Sequence, residues 1–136
     1  SYNLMPFSTA LENVAMPLIF RGVSRRKRTQ MAKEMLIAVG LEDRMLHKPS
    51  EMSGGQQQRV GIARAFVARP EIIFADEPTG NLDSRTSTEI MNMIVDMAAK
   101  HNQTLIIVTH DMNVAKYAHR IFHMLDGDIE KIEECI

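Results

Sequence analysis

Cysteine is nearly absent from this chain of 136 residues: Cys135 is the only one. No internal disulfide can form, and a reducing, cytoplasmic compartment is the expectation. Long apolar runs are also missing. The longest, Met35 to Val39 and Leu105 to Val108, fall far short of the roughly 20 residues that span a bilayer, so the chain is not expected to cross a membrane unaided. Charge of one sign is not in excess, because 16 Lys+Arg face 17 Asp+Glu. A net charge of −1 supplies no bulk field for a nucleic-acid backbone or an anionic lipid surface, and nucleic acid is not expected as a partner. There is no internal repeat, low-complexity tract or signal-peptide pattern, and none of the glycines is followed by lysine.

What is present is an ordinary globular composition, 45% apolar and 24% charged, enough for one core but not two. The opening Ser1-Tyr2-Asn3-Leu4-Met5-Pro6 reads as interior sequence, which raises the expectation that these residues belong to a larger domain. Charge is unevenly divided. Residues 1–50 hold eight Lys/Arg and four Asp/Glu, and residues 51–136 hold eight and thirteen.

The front reads as helical. Thr9-Ala10-Leu11-Glu12 fits a capping box, predicting a helix from about Thr9 to Met16 that Pro17 limits. A second helix is expected from Ser24 to Gly40, with Met31, Met35, Leu36 and Val39 on one face and the glycine suited to a left-handed cap. Its basic start, Arg25-Arg26-Lys27-Arg28, reads as a solvated helix face rather than a recognition patch. After Pro49 the pattern changes. Ile72 to Ala75 and Thr104 to Val108 are short apolar runs of the kind found in parallel strands covered on both faces. Between them Ile90, Ile94, Met97 and Ala98 mark one helix face, so the segment reads as a βαβ unit. Asp126-Gly127 between Ile121 to Leu125 and Asp128 to Ile132 signals a tight hairpin.

Three clusters carry chemistry. Ser53-Gly54-Gly55-Gln56-Gln57-Gln58-Arg59 leads into an Ala-containing helical stretch, Val60 to Ala68. Glycines at a helix start leave amides uncovered, and with the helix dipole and the Ser53 hydroxyl these suit a phosphate; a flexible Gly/Gln loop is the blander alternative. Ile72-Ile73-Phe74-Ala75-Asp76-Glu77-Pro78 delivers two carboxylates to the carboxyl edge of a strand, where open α/β sheets bind ligands. A carboxylate there can hold Mg²⁺ against phosphates, and its neighbour can orient the attacking water. Ile107-Val108-Thr109-His110-Asp111 puts an imidazole on that same edge. His47, His101, His119 and His123 have no such setting and read as surface or packing residues.

In this order, with Gly80-Asn81-Leu82-Asp83 between them, the clusters resemble the ATP-binding cassette of ABC transporters. By that resemblance Ser53-Gly54-Gly55-Gln56 is the signature, with Met52 where the family usually has Leu; Ile72 to Asp76 is the Walker B strand, Glu77 the adjacent catalytic glutamate, Asn81-Leu82-Asp83 the D-loop and His110 the switch histidine. Tyr2 to Pro6, Glu12-Asn13-Val14 with Pro17-Leu18, and Phe74 to Asp83 look like the lipoprotein-release and macrolide-export branch. The resemblance implies an α/β fold, part of a P-loop NTPase core with parallel strands plus an α-helical subdomain, divided near residue 69. It also implies ATP and Mg²⁺ as ligands, a second ATPase subunit or an identical copy as one partner, and transmembrane permease subunits as the other. The location it implies is the cytoplasmic face of the cell membrane. Asp76 would support the metal; Ser53, Gly54, Gly55, Gln56 and Asp83 would meet nucleotide across a dimer; Glu77 and His110 would be catalytic.

One motif is missing. A G-x-x-x-x-G-K-[ST] loop wraps the β-phosphate in backbone amides, and this sequence has none. By resemblance the family's Q-loop glutamine and adenine-stacking aromatic would also precede Ser1. The expectation is a C-terminal part of a cassette that is inactive alone, with an exposed apolar sheet edge. Two other readings stay open: part of a DNA-repair or chromosome-organising ATPase, against which the lack of a heptad tract weighs, and a catalytically dead binding module.

Overall fold

The structure is a computed structural model that describes residues 3–135; Ser1 and Tyr2 of the opening segment, and Ile136, lie outside it. Helix α1, Ala10–Phe20, starts with the expected capping box, Thr9 Oγ1 accepting from the Glu12 amide at 3.2 Å and Glu12 Oε1 from the Thr9 amide at 3.0 Å. Contrary to expectation it runs through Pro17. The helix stops at Gly22 instead, which takes φ +72° while its N–H bonds to Ile19 O and that of Val23 to Leu18 O, a Schellman ending. Burial of Val14, Ala15 and Leu18 outweighs the hydrogen bond that proline removes. Helix α2, Arg25–Ala38, is capped by Ser24 and ends in the same motif at Gly40, φ +78°, as the sequence indicated.

Two single-turn 3₁₀ segments, Glu42–Arg44 and Pro49–Glu51, lead to α3, Gly54–Phe66. This helix begins six residues ahead of the stretch from Val60, because Ser53 and Gln56 form a second capping box that carries the two glycines into the first turn. Strand β1, Ile72–Asp76, then pairs in parallel with β2, Thr104–Val108, in the register Ile72↔Thr104 to Asp76↔Val108. The connection is α4, Ser84–Lys100, capped by Asp83. A short α5, Met112–Ala115, and an antiparallel hairpin of β3, Arg120–Leu125, and β4, Asp128–Glu134, complete the chain. Asp126 and Gly127 turn the hairpin with φ +50° and +83°, as a type I′ turn requires.

One hydrophobic core joins α1, α2 and α3 to α4 and the inner face of the parallel pair; Leu18, Leu36, Val60, Phe66, Ile73, Ile90 and Ile94 are all buried in it. Asn13 is the polar side chain buried with them. Its Oδ1 accepts from the Met5 amide at 2.8 Å, and its Nδ2 donates to Met5 O, Ser8 O and Thr9 O at 3.0–3.2 Å, so the segment before α1 is stapled to it.

The two parallel strands are not covered on both faces. Ile73, Ala75, Leu105 and Ile107 face inward, while Ile72, Phe74, Ile106 and Val108 are exposed, Phe74 by 74%. The apolar runs encode two buried faces, and the residues present fill only one of them.

Candidate functional site

Glu77 follows the last residue of β1 and takes the left-handed conformation, φ +46°. This is sparsely populated for a residue with a Cβ and persists only where neighbours over-determine it. Here they do. Its N–H donates to Val108 O at 2.8 Å, continuing the ladder to β2, and its carbonyl accepts from the Gly80 amide at 3.1 Å, closing a turn. The carboxylate is thereby aimed at the segment after β2: Thr109 Oγ1 donates to Oε2 at 3.0 Å, the His110 amide to Oε1 at 2.8 Å, and His110 Nδ1 lies 2.7 Å from Oε1.

The electrostatics follow. The imidazole beside it, with the His110 amide and the Thr109 hydroxyl, holds the Glu77 carboxyl below its ordinary value. The carboxylate in return raises His110, with a smaller contribution from Asp111. The His110 ring stays 92% exposed, so its outer edge is open to an incoming ligand. Asp76 is exposed on the outer face of the sheet. Asp76 and Glu77 line a cleft of about 470 Å³ with Gln58, Pro78 and Asn81. The two adjacent carboxylates and the imidazole therefore share one sheet edge.

The glycine cluster lies elsewhere. Ser53, Gly54, Gly55 and Gln56 form one wall of a second cleft, about 400 Å³, whose other wall is Asn81, Leu82, Asp83, Thr86 and Glu89. The capping box occupies the Gln56 and Ser53 amides, while the N–H groups of Gly54 and Gly55, in the first helical turn, point out of it. The walls touch: a Cβ on Gly55 would come within 3.1 Å of Thr86 Cγ2. Asp83 is held by the Thr86 amide and hydroxyl at 2.8 and 3.0 Å, which lower its pKa. Arg59, which also lines this cleft, donates to Val39 O at 2.9 Å and to Glu89 at 3.4 Å.

The residues singled out from sequence thus fall into two groups: Asp76, Glu77 and His110 at the sheet edge, and Ser53, Gly54, Gly55, Gln56 and Asp83 at the second cleft. Of the other histidines, His123 pairs across the hairpin with Glu133 at 3.1 Å, and the Nδ1 of His47 is buried. Sequence reading passed over Thr109, Thr86 and Gln58. Thr109 adjoins the histidine and could have been found as a hydroxyl beside a catalytic candidate, and Thr86 stands three residues after Asp83 in a helix-capping pattern; Gln58 acts across the fold and leaves no local signal.

A family model described as ABC transporter matches residues 1–80. The chain belongs to the ABC transporter family. Among curated relatives of this ABC chain, the lipoprotein-releasing system ATP-binding protein LolD of Syntrophotalea carbinolica is 51% identical over 94% of the chain and 56% of its own length. The macrolide export ATP-binding/permease protein MacB of Vibrio parahaemolyticus is 49% identical over 94% of the chain and 19% of its own length. An uncharacterized ABC transporter ATP-binding protein of Methanocaldococcus jannaschii, MJ0796, is 47% identical over 98% of the chain and 58% of its own length. A dimeric post-hydrolysis structure of the MJ0796 cassette bound to ADP and Pi superposes with a TM-score of 0.85 at 45% identity, covering 98% of this chain and 59% of that one. The fold is accordingly that of an ABC cassette ATPase domain, α/β with parallel strands and a helical layer. The chain spans somewhat more than half the length of LolD and MJ0796. No helix among the described residues is long and apolar enough to cross a membrane.

Proposed function

We propose that these residues form the signature, Walker B and switch portion of an ATP-hydrolysing subunit that powers export or lipoprotein release through a transmembrane permease. The observation that carries this reading is that the two groups line two clefts that meet at Asn81: Asp76 and Glu77, with His110 beside them, at the sheet edge, and the amide-bearing helix start along the other. One subunit cannot wrap a single ATP with both. Two copies facing each other head to tail can, each ATP meeting Asp76, Glu77 and His110 of one subunit and Ser53, Gly54, Gly55 and Gln56 of the other, with Asp83 at the junction. A second, related ATPase subunit could take the place of the identical copy.

The residues fit the ligands. No cluster of three or more metal-ligating side chains exists among the described residues, and Asp76 offers one exposed carboxylate. This suits Mg²⁺, which keeps waters and phosphate oxygens and takes only one or two carboxylates from protein. When bound, Mg²⁺ neutralises charge on the β- and γ-phosphate oxygens. Glu77 orients the attacking water and accepts its proton, an assignment that rests on its place at the sheet edge beside His110; its lowered pKa keeps it ionised but weakens it as a base, so orienting the water is its larger part. His110 donates from its exposed edge to the γ-phosphate and registers its loss. Asp83, at the dimer junction, relays between the two ATP sites. Binding closes the pair and hydrolysis opens it, so ATP shifts a two-state equilibrium.

The helical residues before about 69 form the subdomain that touches the permease, with the subunit held at the cytoplasmic face of the membrane by that contact alone. The 136 residues by themselves are inactive for want of a phosphate-binding loop.

Complementation tests the arrangement. In a full-length version, one protomer carries Glu77→Gln and the other Ser53→Arg. Each is expected to be inactive alone, and mixing is expected to restore turnover, because the heterodimer holds one site with an intact Glu77 opposite an intact Ser53. A mixture as inactive as its components would refute the shared-site reading.

A further inference from the structure

We propose that Gln58 is a positioning residue for Glu77, tying the helix that begins at the Ser53 cluster to the turn that carries the water-orienting carboxylate. This rests on the role given to Glu77 above. The three consecutive glutamines have three different partners. Gln56 accepts from the Ser53 amide at 3.0 Å, and Gln57 donates to Pro49 O at 3.0 Å and Met52 O at 3.3 Å. Both serve the start of their own helix. Gln58 reaches 20 residues along the chain and donates to the carbonyl of Pro78.

That carbonyl is well chosen. Pro78 is buried and directly follows Glu77, whose left-handed φ of +46° must be enforced from both sides. On one side stand Val108, Thr109 and His110. On the other, the turn is closed by the Gly80 amide on Glu77 O, and Gln58 anchors the next peptide. The proline after Glu77 works against this conformation, since it biases the preceding residue toward extended backbone, so the left-handed φ depends on these contacts. Gln58 also stands one helical turn from Gly55, on a rigid helix whose first turn faces the second cleft. A shift of α3 on engaging nucleotide is passed through the Gln58 amide to the Pro78 carbonyl, and so to the carboxylate that orients water at the same subunit's other site. Gln58 touches no reacting atom in this scheme; its effect is on where Glu77 points.

The test uses Gln58→Ala and, to preserve bulk and helix propensity while removing the donor, Gln58→Met, in a full-length version of the protein. Losing one hydrogen bond that orients a catalytic group is expected to lower kcat about tenfold, with KM for ATP unchanged within about twofold. In a Glu77→Gln background the same substitution is expected to cost nothing further. The proton NMR titration of His110 is expected to move from its raised value toward that of a free histidine, because Glu77 no longer holds it. A raised KM with kcat intact, a tenfold loss that persists in the Glu77→Gln background, or a His110 titration identical to wild type would each overturn the proposal. Near-normal turnover in Glu77→Gln itself would instead sink the role of Glu77, and the His110 titration would still report whether Gln58 holds the turn.

Discussion

Replacing Gly55 with alanine sets two effects of known sign against each other. Alanine gains about 0.5–1 kcal/mol over glycine inside a helix. The added methyl, however, lands 3.1 Å from Thr86 Cγ2, a few tenths of an ångström inside ordinary contact. Thr86 is poorly placed to yield, since its amide and hydroxyl both donate to Asp83 at 2.8 and 3.0 Å. Overpacking of this kind costs on the order of 1 kcal/mol, so the expected net change in stability is close to zero. Gly61→Ala isolates the first effect, because a Cβ there meets nothing within 4 Å on the same helix. It should stabilise by about 0.5–1 kcal/mol, or roughly 2–4 °C in Tm for a chain of this size. Thermal melts of the two variants side by side read the difference, and full-length Gly55→Ala should also lose ATP-dependent dimerisation as the cleft narrows. A Gly55→Ala variant as stabilised as Gly61→Ala, with dimerisation intact, would refute the tight apposition of α3 on the start of α4.

Asn13→Ala should destabilise by about 1–3 kcal/mol in denaturant melts, since it leaves the Met5 amide and the Ser8 carbonyl without the side-chain partner they have, while the Met5 and Thr9 carbonyls keep backbone amides; a change under about 0.5 kcal/mol would remove the staple from the account. The Glu77–His110 pair carries a pH signature. His110, raised from 6.5, contributes below that value and loses its contribution as pH rises through its folded pKa, while Glu77, lowered from 4.5, contributes above that value and loses it as pH falls through its own. The pair is therefore at full strength between about 4.5 and 6.5. Glu77→Gln should return the His110 NMR titration toward its ordinary value, and an unmoved titration would contradict the pairing. The 136-residue chain alone should show no Mg-ATPase above background; turnover that vanishes in Glu77→Gln would show that the phosphate loop is dispensable.

Local signals in the sequence specified local structure well. The Thr9–Glu12 box, Ser24, Gly40 and Asp126-Gly127 each mark an observed helix start, helix end or turn. The placement of the sheet-edge candidates was legible for the same reason: Asp76 and Glu77 end one apolar run and His110 follows another, and the parallel pairing of those runs brings Glu77 and His110 together. Where local rules competed with burial, they lost. Pro17 sits inside α1 because the residues around it are buried and a better stop signal waits at Gly22. The outer face of β1 and β2 is apolar in sequence and open in structure, since a run of apolar residues encodes burial on two faces without supplying what lies on the second. Gln58 had no local signature, because its meaning depends on a carbonyl 20 residues away.

The most direct test of the account is the turnover of a full-length version carrying Glu77→Gln. If Glu77 orients and deprotonates the attacking water, hydrolysis should fall by about a hundredfold or more, while ATP still binds and the two subunits accumulate as a nucleotide-locked dimer in size-exclusion chromatography. Near-normal hydrolysis, or loss of ATP binding together with hydrolysis, would contradict it.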